Sequence, residues 1–203
     1  MYYASYVILD LEELDLIARN LRCKAQPSDA VILSSLCRKC GPALFDLSAV
    51  VFQIKLRFYS PRPISVVARR EYVEAYMPVV KKLGLDFIEV SSEVHEQSLA
   101  AVAIAYNVAA HALVPYGITT VALGSLSGVY RTVAADLRKA GRQVVGLGLE
   151  SDVPSVVPHD FFDTVHMISK WAWCQPTYIP ASVGGCPTCS CKCWFKTTPL
   201  SSQ

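Results

Sequence analysis

Two kinds of hydrophobic periodicity alternate along this chain. Short apolar runs, bounded by glycine, proline or polar residues, predict strands at 6–10, 64–68, 85–90, 119–123, 143–149 and 161–167. Apolar residues spaced three and four positions apart predict helices at 12–21, 28–41, 43–58, 71–83, 98–113 and 129–140. Strands that alternate with helices indicate an α/β fold in which helices cover both faces of a mostly parallel sheet.

The segment 121–128 joins a predicted strand to a predicted helix. It reads Val-Ala-Leu-Gly-Ser-Leu-Ser-Gly, and open α/β sheets bind their ligands at such carboxyl ends of strands. The hydroxyls of Ser125 and Ser127, with backbone N–H groups at the start of the helix, suit an anion. Alternatively, the loop is a tight connection in which Ser127 caps the helix. Asp10, at the end of the first strand, likewise has two interpretations, a metal ligand or a helix N-cap.

The composition favours a protein with a large core. Hydrophobic residues make up 52% and charged residues 18% of the 203 positions, with a formal net charge of +2. The longest apolar run, 99–114, contains Asn107 and His111 and is shorter than the roughly 20 residues of a membrane span. The first residues lack the basic stretch of a signal peptide, so we expect a cytoplasmic protein without a membrane partner. Asn20 and Asn107 are its only asparagines, a scarcity typical of thermophile proteins.

A change in composition near residue 168 predicts two units. All acidic residues lie at or before Asp163, whereas the three tryptophans and most of the cysteines follow residue 168. We therefore divide the chain into an α/β domain, 1–168, and a Cys- and Trp-rich, irregular C-terminal extension, 169–203. The α/β domain includes a helical insert at about 28–60.

Two Cys-x-x-Cys pairs point to a structural zinc site. In such a turn both thiolates reach one ion, and two pairs complete a four-cysteine site even from distant segments. Disulfides and buried unpaired thiols are the other interpretations of the same residues. The candidate zinc ligands are Cys37, Cys40, Cys186, Cys189, Cys191 and Cys193.

Basic and aromatic residues occur together in the segment 55–62 and again in the C-terminal extension. Cations that contact phosphates and aromatic rings that stack on bases are the combination that binds single-stranded RNA. An ordinary solvated surface, with tail tryptophans packed on the domain, is the alternative. Besides the two loop serines, the candidate contacts are Lys55, Arg57, Arg62, Arg69, Arg70, Trp194 and Lys196.

Four short strings stand at the ends of predicted strands and helices. They are Asp10-Leu-Glu-Glu-Leu14, the segments 83–90 and 137–148, and His159-Asp-Phe-Phe-Asp163. In this order and spacing they resemble the NYN family, a branch of the PIN-like ribonucleases, over about residues 6–167. The resemblance implies a three-layer domain around a mostly parallel sheet. It also implies an endoribonuclease site whose carboxylates hold Mg²⁺ or Mn²⁺ beside the scissile phosphate.

The acidic site that the resemblance implies is incomplete in this chain. The third motif of the family carries two aspartates, and Ser125 and Ser127 stand at those positions. The carboxylates that remain are Asp10, Glu12 and Asp160. We therefore expect a catalytically degenerate domain that binds RNA or a ribonucleoprotein assembly. The alternatives are an active metal-dependent ribonuclease that adds Glu96 to these three, and a structural protein that docks a protein partner through its C-terminal tail.

Overall fold

Six parallel strands form one sheet at the centre of the structure. The structure, a computed structural model, describes residues 4–22, 46–90, 103–105, 107–108, 117–124, 126–150 and 160–169. The strands are β1 Ala4–Asp10, β2 Ser65–Arg69, β3 Asp86–Val90, β4 Ile118–Gly124, β5 Gln143–Leu149 and β6 Thr164–Ile168. Their order in the sheet is β3-β2-β1-β4-β5-β6, and every neighbouring pair is parallel. The α/β class expected from the alternating periodicities is confirmed.

Helices lie between the successive strands from β1 to β5. They are α1 Leu11–Arg22, α2 Leu47–Arg57, α3 Arg70–Leu83 and α4 Arg131–Lys139, and a short 3₁₀ helix, Gly128–Tyr130, precedes α4. Residues 103–105 and 107–108, inside the predicted helix 98–113, are also helical. The predicted helix at 28–41 lies outside the described residues. Within the described ranges, no helix is long and apolar enough to cross a membrane.

Two hydrophobic cores lie on opposite faces of the sheet. Successive residues of a strand point to opposite faces, so Val7 and Leu9 pack with α1, α2 and α3, whereas Tyr6 and Ile8 pack with α4 and the helical residues near 104. The central strand β1 is buried along nearly its whole length. The protein therefore has three layers, with helices on both faces of the sheet.

Two helices end at glycines, as the sequence predicts. Gly84 follows α3 with a φ of 61°, and Gly141 follows α4 with a φ of 74°. Both values lie in the left-handed region, which glycine enters without the steric cost that a Cβ imposes. Each glycine turns the chain into the strand that follows.

The last strand begins later than the sequence predicts. The apolar run at 161–167 was expected to be a strand, but β6 begins at Thr164, and Phe161 and Phe162 lie in the turn before it. Both aromatic rings pack into the core on the α4 side. The turn is fixed by Asp163, whose backbone N–H donates to the Val144 carbonyl at 2.9 Å and whose carboxylate accepts from the Val144 N–H at 2.7 Å.

Leu126 anchors the loop between β4 and the 3₁₀ helix. Its side chain fills a hollow over β5 that exists because two residues of that strand are glycines. A Cβ added to Gly148 would lie 2.6 Å from Cδ1 of Leu126, and one added to Gly146 would lie 2.6 Å from Cδ2. The position of this loop thus depends on the absence of side chains at both glycines.

Replacing Gly148 by alanine is therefore expected to displace Leu126 and to lower the free energy of unfolding by about 1–3 kcal/mol. Gly128→Ala is the matched control, because an added Cβ there meets no atom within 4 Å; we expect a change of about 0.5 kcal/mol or less. Urea denaturation measures both. The cost of Gly148→Ala should shrink in a Leu126→Ala background. Equal costs at Gly148 and Gly128 would contradict the packing described above.

Candidate functional site

The carboxyl ends of β1 and β4 meet at the switch point of the sheet. β1 pairs with β2 on one side and with β4 on the other, and the chain runs outward from this centre in both directions. In open α/β sheets the crevice at such a point receives ligands. The turn after β1 supplies Asp10, and the loop after β4 leads to Tyr130.

Asp10 is buried at this edge, with only 6% of its surface exposed. Its Oδ1 accepts a hydrogen bond from the backbone N–H of Glu13 at 3.0 Å, which caps the N-terminus of α1. Its Oδ2 accepts a hydrogen bond from the Tyr130 hydroxyl. The N-cap interpretation is therefore realised, and both carboxylate oxygens have donors from the protein.

Burial controls the protonation of this pair. Burial raises the pKa of Asp10 to about 6, although the hydrogen bonds from Tyr130 and from the Glu13 N–H lower it in part. Burial also raises the pKa of the Tyr130 hydroxyl, and the neighbouring Asp10 carboxylate raises it further. Above about pH 6, Asp10 is therefore a carboxylate and Tyr130 a neutral hydrogen-bond donor.

Glu12 and Arg69 form a multidentate pair between α1 and the end of β2. Oε1 of Glu12 accepts from the Arg69 backbone N–H at 2.7 Å and from its Nε at 3.0 Å. Oε2 accepts from Nη2 at 2.9 Å and from Nε at 3.0 Å. The side chain of each is 23% exposed. These two residues, expected as a metal ligand and an RNA contact, thus hold each other and join two elements of the fold.

Asp160 lies on the surface, whereas Asp10 is buried. It forms an ion pair with Arg131 at 3.1 Å, and the Arg131 guanidinium lies over the Phe161 ring at 5.4 Å from its centroid. The side chains of Asp160 and Arg131 are both largely exposed. Asp160 is therefore paired with an arginine of the same chain, as Glu12 is.

The described residues do not fit a Mg²⁺ or Mn²⁺ site. Mg²⁺ takes about six oxygen ligands, and it usually binds a protein through one or two carboxylates whose oxygens coordinate it directly. Across the ranges that the structure describes, His, Cys, Asp and Glu side chains form no group of three that could hold a metal. Asp10 contributes one carboxylate, and both its oxygens already accept hydrogen bonds from the protein.

Of the candidates in the loop after β4, the predicted zinc site and the C-terminal extension, the structure describes Ser127. Ser127 stands at the N-cap position of the 3₁₀ helix but makes no capping hydrogen bond through its side chain. The described residues do not include the six candidate cysteines, nor Glu96, Ser125, Trp194 and Lys196.

The basic candidates lie at opposite edges of the sheet. Arg69 ends β2 and Arg70 begins α3, at the carboxyl edge. Lys55 and Arg57 lie in the last turn of α2, which leads to a parallel bridge between Tyr59 and Ala4, the first residue of β1. Seven residues of β1 separate the two edges by about 20 Å. Residues that are close in sequence therefore do not form one surface.

A second buried carboxylate was not expected from the sequence. Asp15 is fully buried on the inner face of α1, and its Oδ1 accepts a hydrogen bond from the Tyr76 hydroxyl at 2.7 Å. Tyr76 belongs to α3, 61 positions along the chain. The only signal was an aspartate between the apolar residues Leu14 and Leu16, and this signal does not identify a partner.

Comparison with known proteins supports the fold and leaves the activity open. No family model matches the chain, and no curated protein matches it. Among solved structures, it is similar to a protein of unknown function from Vibrio parahaemolyticus, at 11% sequence identity and a TM-score of 0.54. The alignment covers 85% of this chain and 96% of that one. At this identity the likeness extends to the arrangement of strands and helices.

Removing the Glu12 carboxylate should destabilise the protein, because it removes an acceptor of the half-buried Arg69 guanidinium and of the Arg69 backbone N–H. We expect Glu12→Ala to lower the free energy of unfolding by about 1–3 kcal/mol. Glu74→Ala is the control, since the Arg70–Glu74 pair is exposed and 3.9 Å apart; its cost should be about 0.5 kcal/mol or less. Chemical denaturation of both variants gives the comparison, and similar costs would count against a structural role for Glu12.

Asp10 should make the stability of the protein depend on pH between about 4 and 6. Because its pKa rises from 3.8 when unfolded to about 6 when folded, the native state binds more protons in this range. Its contribution is therefore complete below pH 3.8 and lost as the pH rises through 6, by about 3 kcal/mol in all. The side chain introduced by Asp10→Asn cannot titrate, so the variant does not lose this contribution. As the pH rises from about 4 to 6, the unfolding free energy of Asp10→Asn should therefore increase relative to that of the wild type by about 3 kcal/mol. Denaturation curves at several pH values test this, and parallel pH profiles would refute it.

Proposed function

We propose that this chain is a cytoplasmic PIN-like domain of the NYN type that binds RNA and does not cleave it. The observation that carries the proposal is the state of the three candidate carboxylates. Asp10 accepts hydrogen bonds from Tyr130 and the Glu13 N–H, Glu12 is paired with Arg69, and Asp160 with Arg131. Metal-dependent phosphodiester cleavage needs carboxylates that converge on one ion, and these three are directed to three different protein partners.

The sheet order is compatible with the fold that the NYN resemblance implies. That resemblance predicts a three-layer domain with a mostly parallel sheet, and the structure has six parallel strands between two layers of helices. The predicted strand-end position of Asp10 agrees with its place at the end of β1. These agreements support the PIN-like assignment without distinguishing it from other α/β families with this strand order.

Binding of RNA is supported by the exposed basic and aromatic side chains near the end of α2. Lys55, Arg57 and Tyr59 are all exposed. Cations and aromatic rings at the surface supply phosphate contacts and stacking for nucleic acid. We also propose that the candidate cysteines bind a structural zinc ion. Elemental analysis of the purified protein tests for zinc.

We expect the purified protein to bind labelled single-stranded RNA at low salt without cleaving it in Mg²⁺ or Mn²⁺. Affinity should fall linearly with the logarithm of the salt concentration, because phosphate contacts release counterions. Asp10→Asn should bind RNA as the wild type does. Fluorescence anisotropy measures binding and gel electrophoresis measures cleavage.

Two results would overturn the proposal. Absence of RNA binding by the wild type at low salt would remove the binding function. Metal-dependent cleavage that is lost in Asp10→Asn would show that the carboxylates assemble an active site and that the protein is a ribonuclease.

A further inference from the structure

Basic residues from the ends of three helices lie at the amino edge of the parallel sheet. Each helix returns the chain from the carboxyl edge to the amino edge, so the helix C-termini gather at the amino edge. The last turns of α2, α3 and α4 all carry basic residues, which favour the negative end of the helix dipole. These residues are Lys55, Arg57, Lys81, Lys82, Arg138 and Lys139. By contrast, the carboxyl end of β1 is followed by the acidic residues Glu12 and Glu13.

The two cations at the end of α2 differ from several others at both edges because they are not paired with a carboxylate. At the carboxyl edge, Arg69 is paired with Glu12 at 2.9 Å and Arg131 with Asp160 at 3.1 Å. At the amino edge, Arg138 is paired with Asp163 at 3.0 Å and Lys139 with Asp136 at 3.6 Å. Lys55 and Arg57, at the same edge, have no ion-pair partner among the described residues. A phosphate at Lys55 or Arg57 would therefore displace no ion pair with a described residue, whereas a phosphate at Arg69 or Arg131 would compete with a carboxylate.

Exposed aromatic and apolar side chains lie beside these unpaired cations. Phe52, Lys55 and Leu56 are spaced three and four residues apart, so they share the outer face of α2. Phe52 is 60%, Leu56 64% and Tyr59 59% exposed. The inner face of the same helix is buried in the core through Val50, Val51 and Ile54. The outer side chains are therefore available without any cost to packing.

We infer that single-stranded RNA binds along the outer face of α2 to the amino edge of the sheet, on a surface formed by Phe52, Lys55, Leu56, Arg57 and Tyr59. This inference rests on the proposed RNA-binding function and locates it at the edge opposite to the switch point. Lys55 and Arg57 contact phosphates, and Phe52 and Tyr59 stack on bases.

The combination of groups favours a single strand over other polyanions. Duplex RNA presents phosphates and 2′-hydroxyls but keeps its bases stacked inside, so it leaves exposed aromatic rings without a partner. An acidic protein would satisfy the cations, and it would use Leu56 as well as Phe52 because both are apolar. Stacking on a base needs the flat ring of Phe52, which Leu56 lacks.

The experiment compares two double variants with the same change in charge, using the full chain and labelled single-stranded RNA of about 12 nucleotides. Lys55→Gln with Arg57→Gln should weaken binding about tenfold or more at low salt and reduce the salt slope by about 1.4, the value for two phosphate contacts. Arg70→Gln with Arg131→Gln, at the carboxyl edge, should leave affinity and slope within about twofold of the wild type. All four side chains are exposed, and thermal melting checks that both variants fold.

A second pair of variants tests stacking. Phe52→Ala should weaken binding by about tenfold, the lower part of the range for loss of one base–aromatic stack. Leu56→Ala, an apolar truncation on the same helix face, should change it by about twofold or less.

Other results would separately overturn the location of the site, the RNA-binding function or the preference for single-stranded RNA. Binding lost in the carboxyl-edge variant and retained in the α2 variant would overturn this location while leaving the RNA-binding function intact. No binding by the wild type would overturn both. Equal losses for Phe52→Ala and Leu56→Ala, or equal affinity for duplex RNA, would overturn the single-stranded assignment, and the first result would favour a protein partner.

Discussion

The position of β1 between β2 and β4 is the constraint on which the rest of the structure depends. Ser5 through Asp10 are buried, and the strand pairs in parallel with both neighbours. Parallel neighbours cannot be joined by hairpins, so every connection must cross back over the sheet on one face or the other. The switch point, the two separate cores and the burial of Asp10 all follow from this arrangement.

The same constraint places the C-termini of several helices at one edge of the sheet. Acids favour helix N-termini and bases favour C-termini, by fractions of a kilocalorie in each helix. Since α2, α3 and α4 all end at the amino edge of the sheet, their basic last turns lie at that edge. At the opposite edge, Arg69 and Arg131 are neutralised by carboxylates of the chain itself. Lys55 and Arg57, at the end of α2, have no such ion-pair partner among the described residues, so they offer an anion different chemistry from Arg69 and Arg131.

Hydrophobic periodicity predicted the strands and most of the described helices because each depends on residues within one element. The site could not be predicted in this way, since its contacts join distant positions. Glu12 and Arg69 are 57 residues apart, and Asp10 and Tyr130 are 120 apart. No local pattern in the sequence specifies either partner. Phe161 and Phe162 were predicted to belong to a strand because two apolar residues extend the apolar run of β6. In the structure they lie in the turn before that strand, and their side chains pack into the core from there.

Asp10 is the residue at which structure and resemblance have to be reconciled. Burial raises its pKa to about 6, so an ionised carboxylate here costs free energy that its two hydrogen bonds only partly offset. The N-cap bond to Glu13 alone does not require a charge, because a neutral asparagine also caps helices well. The degenerate metal site that we propose would account both for the cost of this charge and for the presence of an aspartate rather than an asparagine. The charge stays where the NYN pattern implies the first metal ligand, while Tyr130 and the Glu13 N–H take the oxygens that a cation would need.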